Sequence, residues 1–166
     1  GDMFNFNRFD TFSVETVIKT TDSATKMICG RQREQNIGEG WKFSMSGGEI
    51  RFILSRNQLA YGGKFIYIDT VSSFNDGLNH MVTITYDGSS NASGVNIYVD
   101  GNLQNVNVIF DTLDGDINSS SNFNIGARAN SEQFWDGTIG FVRIYNRELS
   151  TEEAKQNYNA LKWRFK

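Results

Sequence analysis

The stretch Thr85–Gly101, TYDGSSNASGVNIYVDG, decides the fold class because it joins two alternating apolar and polar runs through a small polar loop. The β-branched and aromatic residues on either side of the loop suit a pleated, half-buried surface. The Asp, Gly, Ser and Asn residues between them supply the backbone conformations of a turn. The stretch therefore predicts a β-hairpin near the middle of the chain, and we expect this hairpin to serve as scaffold rather than to perform chemistry.

Apolar or alternating runs of the same kind recur along the chain, separated by turns that contain glycine. About ten short strands at such spacing are typical of a β-sandwich or a β-barrel. The predicted strands are residues 12–20, 26–33, 40–45, 49–54, 64–68, 80–86, 95–99, 106–110, 122–126 and 138–145. The sequence therefore predicts an all-β chain.

One segment near the C-terminus departs from the strand pattern. In LSTEEAKQNYNAL, residues 149–161, Ser150 precedes Glu153 by three residues, which is the spacing of a helix capping box. Apolar residues then recur at helical spacing, so this segment predicts one short helix. The following LKWRF, residues 161–165, alternates apolar and basic residues and predicts a closing strand.

Composition limits the domain count and the classes of partner. A chain of 166 residues is long enough for one domain with its own core, so we take residues 1–166 as a single domain. The start at Gly1, before Asp2 and Met3, leads us to expect a domain excised from a longer protein with neighbouring domains. One cysteine, Cys29, excludes an internal disulfide and leaves the compartment undecided.

Charge and hydropathy exclude two classes of partner. The net charge is −3, with no basic stripe, which argues against nucleic acid as a partner. No apolar run approaches the roughly 20 residues that span a bilayer, which argues against membrane insertion.

Four pieces of the sequence, in their order along the chain, resemble the laminin-G-like, pentraxin-like branch of the concanavalin A-like lectin and glucanase superfamily. They are FSVETVIKT from Phe12, DGLNHMVTITYDG from Asp76, VNIYVDGNL from Val95 and FWDGTIGFVRIYNRELSTEEAKQNY from Phe134. The resemblance covers nearly the whole chain from Phe12 onward. It implies a jelly roll of two antiparallel sheets, in agreement with the all-β strand pattern.

The amino-acid sequences of the central hairpin and of NYNALKWRF are also similar to versions of this domain in phage tail and other virion proteins and in bacterial surface proteins. That similarity implies an extracellular, cell-surface or virion location. Two positions depart from the family pattern. Asn79, beside His80, stands where the family usually has Trp, and the customary first strand is reduced to MFNFNRF before Thr11.

The sequence gives no sign of catalysis. Glucanases that share the implied fold place two carboxylates on one strand, pointing into the groove. No predicted strand has such a pair: the nearest acidic pairs are Glu132 with Asp136, in a loop, and Glu152 with Glu153, at a helix N-terminus. The only histidine, His80, matches a structural histidine of the family. We therefore predict that the chain is not an enzyme.

The resemblance also raises the question of calcium, which many members of this branch bind through loop oxygens. The loop DTLDGDIN brings together several of the oxygen donors that calcium prefers. The candidate calcium ligands are Asp111, Asp114, Asp116 and Asn118. A plain Asp-Gly turn between two strands explains the same residues, and we favour that alternative.

Sugar binding requires an aromatic platform flanked by planar polar groups. The candidate ligand-binding residues are Tyr61, Arg128, Asn130, Gln133 and Trp135. The resemblance implies that Trp135 packs in the core, whereas Tyr61, beside Gly62 and Gly63, is the better candidate for an exposed platform.

The leading hypothesis is a non-catalytic module that binds a glycan or another cell-surface receptor on behalf of a larger protein. The alternative is a structural or assembly domain of a phage virion or surface protein, with no small ligand. A third reading is a degenerate or accessory domain of a glycosidase.

Overall fold

The computed structural model describes residues 3–32, 38–56, 62–128 and 133–165. Within these ranges the chain forms eleven strands and one α-helix, which confirms the predicted all-β class. The strands are β1 (Phe12–Lys19), β2 (Lys26–Gln32), β3 (Gly40–Ser46), β4 (Glu49–Ser55), β5 (Phe65–Ser73), β6 (His80–Tyr86), β7 (Val95–Val99), β8 (Asn102–Leu103), β9 (Val106–Asp111), β10 (Asn124–Ile125) and β11 (Thr138–Tyr145).

The strands form two antiparallel sheets that stack as a sandwich. The five-stranded sheet has the order β11-β1-β6-β7-β8, and the six-stranded sheet has the order β10-β2-β3-β4-β5-β9. Both sheets place strands from distant parts of the chain side by side, as in the pairing of β1 with β11. The arrangement agrees with the jelly roll that the sequence predicts.

The central hairpin forms as predicted. β6 pairs with β7 in a register that sets Val82 against Val99 and Ile84 against Ile97. A second, tighter hairpin follows, because β7 and β8 are joined through Asp100 and Gly101, both with positive φ. A two-residue hairpin of this kind is a type I′ turn, which needs positive φ at both central residues and matches the twist of the flanking strands. Asp-Gly is a favoured pair for this turn.

The core lies between the sheets and consists of the inward side chains of both. Its largest fully buried members are Trp41, Tyr86, Phe12, Phe43, Phe52, Phe65, Ile18, Ile28, Met45, Ile50, Leu54 and Ile66. Burial of Trp41 agrees with the alternating pattern of its strand. Cys29 is also fully buried, and burial raises the pKa of its thiol, so it packs as a small apolar side chain.

The predicted helix forms over Thr151–Leu161 and is designated α1. Its capping box is complete: the Glu153 amide donates to Ser150 Oγ at 3.2 Å, and the Ser150 amide donates to Glu153 Oε2 at 2.9 Å. The helix packs on the outer face of the five-stranded sheet, where Asn157 reaches Glu15 of β1. No helix in the described residues is long and apolar enough to cross a membrane.

The predicted closing strand at residues 161–165 is wrong. The helix continues to Leu161, and a 3-10 turn then covers Lys162–Arg164. The Lys162 amide donates to the Tyr158 carbonyl, so the chain here satisfies its backbone locally instead of pairing with a sheet. Trp163, in this turn, is 67% exposed.

The structure shows what takes the place of the family pattern at the two positions where the sequence departs from it. Asn79, at the position where the family usually has Trp, donates from Nδ2 to the Phe165 carbonyl at 2.7 Å and so holds the C-terminal segment. The segment before Thr11 contains no strand in its described part, but Phe6 stacks on Phe12 at a ring distance of 4.1 Å. The shortened first strand is therefore replaced by aromatic packing.

Candidate functional site on the outer face of the six-stranded sheet

The strand period determines which side chains of the six-stranded sheet face away from the core. On β3, Trp41, Phe43 and Met45 belong to the core. Because successive side chains of a strand point to opposite faces, Lys42 and Ser44 face outward. Both are nevertheless buried, with 6% of Lys42 and 0% of Ser44 exposed.

The outward residues of neighbouring strands form rows across the sheet. Lys42 lies opposite Ile53 of β4, and Ile53 lies opposite Tyr67 of β5. In the adjoining row Arg51 of β4 lies opposite Asp69 of β5. The rows place one apolar residue, one aromatic ring and three charged groups beside one another on a single surface.

Arg51 and Asp69 form a paired unit on this surface. The guanidinium donates from Nε to Asp69 Oδ1 at 2.8 Å and from Nη2 to Oδ2 at 2.9 Å. Its central carbon lies 4.8 Å from the centre of the Tyr67 ring. Burial raises the pKa of Tyr67, which keeps its hydroxyl protonated at neutral pH. The charge of Arg51 is therefore balanced within the sheet.

Among the described residues, no carboxylate pairs with Lys42 to balance its charge. Its side chain lies on the same buried surface, and Nζ donates to Gln133 Oε1 at 2.8 Å. Burial, with the neighbouring charges of Arg128 and then Arg51, lowers the pKa of Lys42 to about 8. Within the described parts of the chain, the charged groups that shift this pKa are both cations, so Lys42 is held in a positive environment.

Several buried polar atoms around Lys42 have no hydrogen-bond partner among the described residues. Arg128 is half-buried, and its Nε and Nη2 atoms are both of this kind. So are Nε2 of Gln32 and Oγ of Ser44, from side chains that are 3% and 0% exposed. Unpartnered buried polar groups are costly, so a group of them in one place calls for an explanation.

Two of the predicted ligand-binding residues belong to this surface. Arg128 and Gln133 both interact with Lys42, the first through its charge and the second through the hydrogen bond to Nζ. Tyr61 and Asn130 lie outside the described residues. The ligand-binding role of these residues therefore stays a prediction, and the structure shows only that Arg128 and Gln133 lie beside Lys42 of β3.

Trp135 lies between the core and the surface. It is half-buried and packs against the core, and its indole Nε1 donates to the Thr138 carbonyl at 3.2 Å. The neighbouring Phe134 is 56% exposed. Trp135 is thus a structural residue at the rim of the sandwich, close to what the family resemblance implies, although it is not fully in the core.

Lys42 and Arg51 were not among the ligand-binding residues predicted from the sequence. Each stands between apolar residues of an alternating strand, which is also where an ordinary solvated side chain stands. The signal that could have singled them out is a long cationic side chain at the third position of each of two consecutive strands. Their burial comes from contacts distant in sequence and has no local signature.

In the loop predicted to bind calcium, the acidic side chains contact different partners. Asp111 Oδ1 accepts from the Ala92 amide at 2.8 Å. Asp114 pairs with Arg56 at 2.8 Å and with Lys64 at 3.3 Å, and the Arg56 hydrogen bond is the main cause that lowers the pKa of this carboxyl.

The other two candidates, Asp116 and Asn118, are exposed. Among the described residues no three Asp, Glu, His or Cys side chains are grouped so that they could hold a metal. The residues as arranged therefore do not fit calcium, and the calcium expectation stays a prediction open to test.

Three of the four acidic residues considered for catalysis lie in the described part of the chain. Glu153 receives two hydrogen bonds from Arg147, which lower its pKa to about 2, and Glu152 is exposed in the first helical turn. Asp136 is exposed, and Glu132 lies outside the described residues.

Comparisons with known proteins agree with the geometry of the sandwich. A laminin G-type family model, described as concanavalin A-like lectin/glucanases superfamily, matches residues 2–155. No curated protein sequence matches the chain.

Several solved structures share the fold at low sequence identity. The binding domain of Paraclostridial Mosquitocidal Protein 1 aligns with a TM-score of 0.62 and 19% identity over 94% of this chain and 38% of that one. The botulinum neurotoxin serotype G binding domain gives 0.60 and 23% over 93% and 37%. The receptor binding domain of the botulinum neurotoxin C/D mosaic serotype gives 0.63 and 22% over 92% and 37%. The chain thus spans less than two fifths of these structures.

Proposed function

This chain belongs to the concanavalin A-like lectin/glucanases superfamily, and from that membership we propose that it is a non-catalytic module that binds a glycan or another cell-surface receptor. The binding surface we propose is the outer face of the six-stranded sheet. The observation that carries the proposal is the group of buried, unpartnered polar atoms beside Lys42, because a ligand that supplied hydrogen-bonding groups there would remove the cost of leaving these atoms unpaired.

The structural neighbours support a binding role. They are described as binding or receptor binding domains of toxins, and each is longer than this chain. Their likeness to this chain is one of fold, so receptor binding is transferred here only as a proposal. An extracellular location and attachment to further domains form part of the same proposal.

The distribution of carboxylates supports a role without catalysis. On β3, β4 and β5 the acidic residues are Glu49 and Asp69, which lie on different strands. Both oxygens of Asp69 accept hydrogen bonds from Arg51. A glucanase pair on one strand, with one carboxyl free to donate a proton, is therefore absent from these three strands.

A glycan array tests the proposal. We expect the purified chain, with or without calcium, to bind at least one class of glycan. Tyr67→Ala, which removes a half-buried ring from the proposed face, should weaken that binding several-fold. Lys155→Ala, at an exposed position on α1, is the matched control and should bind as the wild type does. An array with no binding in either condition contradicts the proposal.

A second candidate function rests on a different surface. Strand β9 is an edge of the six-stranded sheet, and it exposes Val108 by 53%, Ile109 by 48% and Phe110 by 38%. Exposed apolar edge strands favour association with another chain. A structural or assembly role in a virion or surface protein would use this edge. Light scattering tests it: a stable homotrimer that Val108→Lys converts to monomer would favour assembly over ligand binding.

A further inference from the structure

Among the described residues, neither Lys42 nor Arg128 forms an ion pair on the outer face of the six-stranded sheet. Arg51 is neutralised by Asp69 through two hydrogen bonds. The loop that contains Arg128 runs along β2 beside Lys42, since the Gly126 amide donates to the Ile28 carbonyl and Gly30 lies opposite Lys42. The charge of Arg128 contributes to the lowered pKa of Lys42, and the hydrogen-bond partner of Lys42 Nζ is the neutral amide of Gln133. A pair of cations is thus held together within a chain whose net charge is −3.

Holding these two cations together has a cost for the folded protein. Two buried or half-buried positive groups repel each other and lose hydration. Burial is the main cause of the lowered pKa of Lys42, and Arg128 is the second. A fold that needed only packing at this position would be served better by an apolar side chain, as at the neighbouring position Ile53.

The unpartnered atoms of Arg128 define the shape of the group that would relieve this cost. Nε and Nη2 are the two donors on one edge of the guanidinium, and both are buried without a partner among the described residues. That edge makes two parallel hydrogen bonds to a carboxylate or to two oxygens of a sulfate. The Lys42 ammonium has three donors, one of which is used by Gln133.

We propose that Lys42 and Arg128 form a subsite for the acidic group of an anionic glycan, which enters as a carboxylate or a sulfate on a sugar. The inference rests on the proposed glycan-binding function and specifies its ligand class. The oxyanion accepts from Nε and Nη2 of Arg128 and from Nζ of Lys42. The ring of Tyr67, two strands away in the same row as Lys42, then lies beside the neutral part of the sugar.

Titration calorimetry with three probes tests the subsite. The probes are sialyllactose, which contributes a carboxylate, lactose sulfated on galactose, and lactose itself as the neutral counterpart. We expect one of the acidic probes to bind at least roughly tenfold more tightly than lactose, because a hydrogen bond to a charged group contributes enough for such a factor. The acidic probe that binds more tightly identifies the acid group.

Two substitutions locate the binding. Lys42→Met and Arg128→Gln should each reduce the preference for the acidic probe to near that of lactose. Lys155→Met removes the same charge from the exposed face of α1 and should leave the preference unchanged. Lys42→Met should melt at or above the wild-type temperature, because it removes a poorly paired buried charge. If Lys42→Met fails to fold, the half-buried Arg128→Gln variant carries the test.

The outcomes separate this inference from the function on which it rests. If neutral glycans bind on the array and neither acidic probe exceeds lactose, the subsite is refuted and the glycan-binding function stands. If an acidic probe binds equally well to the wild type and to both subsite variants, the acid lies elsewhere and the inference is again wrong. If no glycan of any kind binds, both proposals fail together.

Discussion

Asn157 of α1 donates a hydrogen bond of 3.1 Å to Oε1 of Glu15, a carboxylate of β1 that is completely buried. The same carboxylate accepts from Thr83 on β6, from Arg143 on β11 and from the Tyr145 hydroxyl. One acidic side chain therefore joins three neighbouring strands and the helix that covers them. This arrangement makes the outer face of the five-stranded sheet a structural surface.

Glu15→Gln should lower the free energy of unfolding by about 2 kcal/mol. The carboxylate accepts every one of its hydrogen bonds, whereas the amide of Gln is uncharged and its NH₂ group would face the same donors. Urea unfolding monitored by circular dichroism measures the change. Glu148→Gln, at an exposed position just before α1, is the matched control and should change stability by less than about 0.5 kcal/mol. Equal stabilities for the two variants would contradict the role assigned to Glu15.

Ser150→Ala should cost about 1 kcal/mol, since it removes the acceptor for the Glu153 amide and opens the capping box. Thermal and urea unfolding both report this loss. The exposed Ser120→Ala is a suitable control because it changes the same atoms away from any helix end. A Ser150→Ala variant as stable as Ser120→Ala would show that α1 is held by its sheet contacts alone.

Features with local signals were predicted correctly. Alternation of apolar residues, an Asp-Gly turn and the Ser150 to Glu153 spacing act within a few residues, so the central hairpin and the start of α1 could be read directly. Residues 161–165 also alternate, yet they form a 3-10 turn, because a short alternating run becomes a strand only where a sheet edge is available to pair with it.

The candidate site depends on contacts between distant residues, which the sequence alone does not reveal. Lys42 belongs to the proposed site because Gln133 and Arg128, some ninety residues away, lie beside it. Arg128 and Gln133 were selected for the sugar chemistry of their loop, whereas Lys42 looked like an ordinary outward residue of a strand. The sequence could therefore indicate one side of the site, and only the packing of the loop on the sheet indicates the other.

Millimolar calcium should leave the melting temperature unchanged, because Asp114 is already neutralised by Arg56 and Lys64 and Asp111 accepts a backbone amide. A ligand that binds only the folded state raises its melting temperature by mass action, so differential scanning calorimetry in calcium and in chelator is a direct check. A clear rise with calcium would mean that Asp114 leaves its cations and would restore the calcium prediction for this loop.

His80 connects two aspartates at the start of β6. Its Nδ1 lies 2.8 Å from Asp100 Oδ2, and its Nε2 lies 3.1 Å from Asp76 Oδ1. The hydrogen bond to Asp100 is the main cause that raises the pKa of His80; burial opposes it, and Asp76 adds to it. The sequence assigned this histidine a packing role, and the ring does pack edge-on against Phe74 at 5.4 Å.

The raised pKa of His80 makes stability depend on pH in a defined direction. The protonated ring is favoured in the folded state, so its contribution is fully present below the unfolded pKa of about 6.5 and is lost as pH rises through the higher folded value. We therefore expect the stability difference between the wild type and His80→Asn to shrink from about pH 6.5 upward. Because the chain has one histidine, its imidazole proton resonances give the folded pKa directly. Asp76→Asn should lower that pKa while the ring keeps its contact with Asp100. A titration midpoint at or below that of free histidine would show that the two carboxylates do not hold the proton.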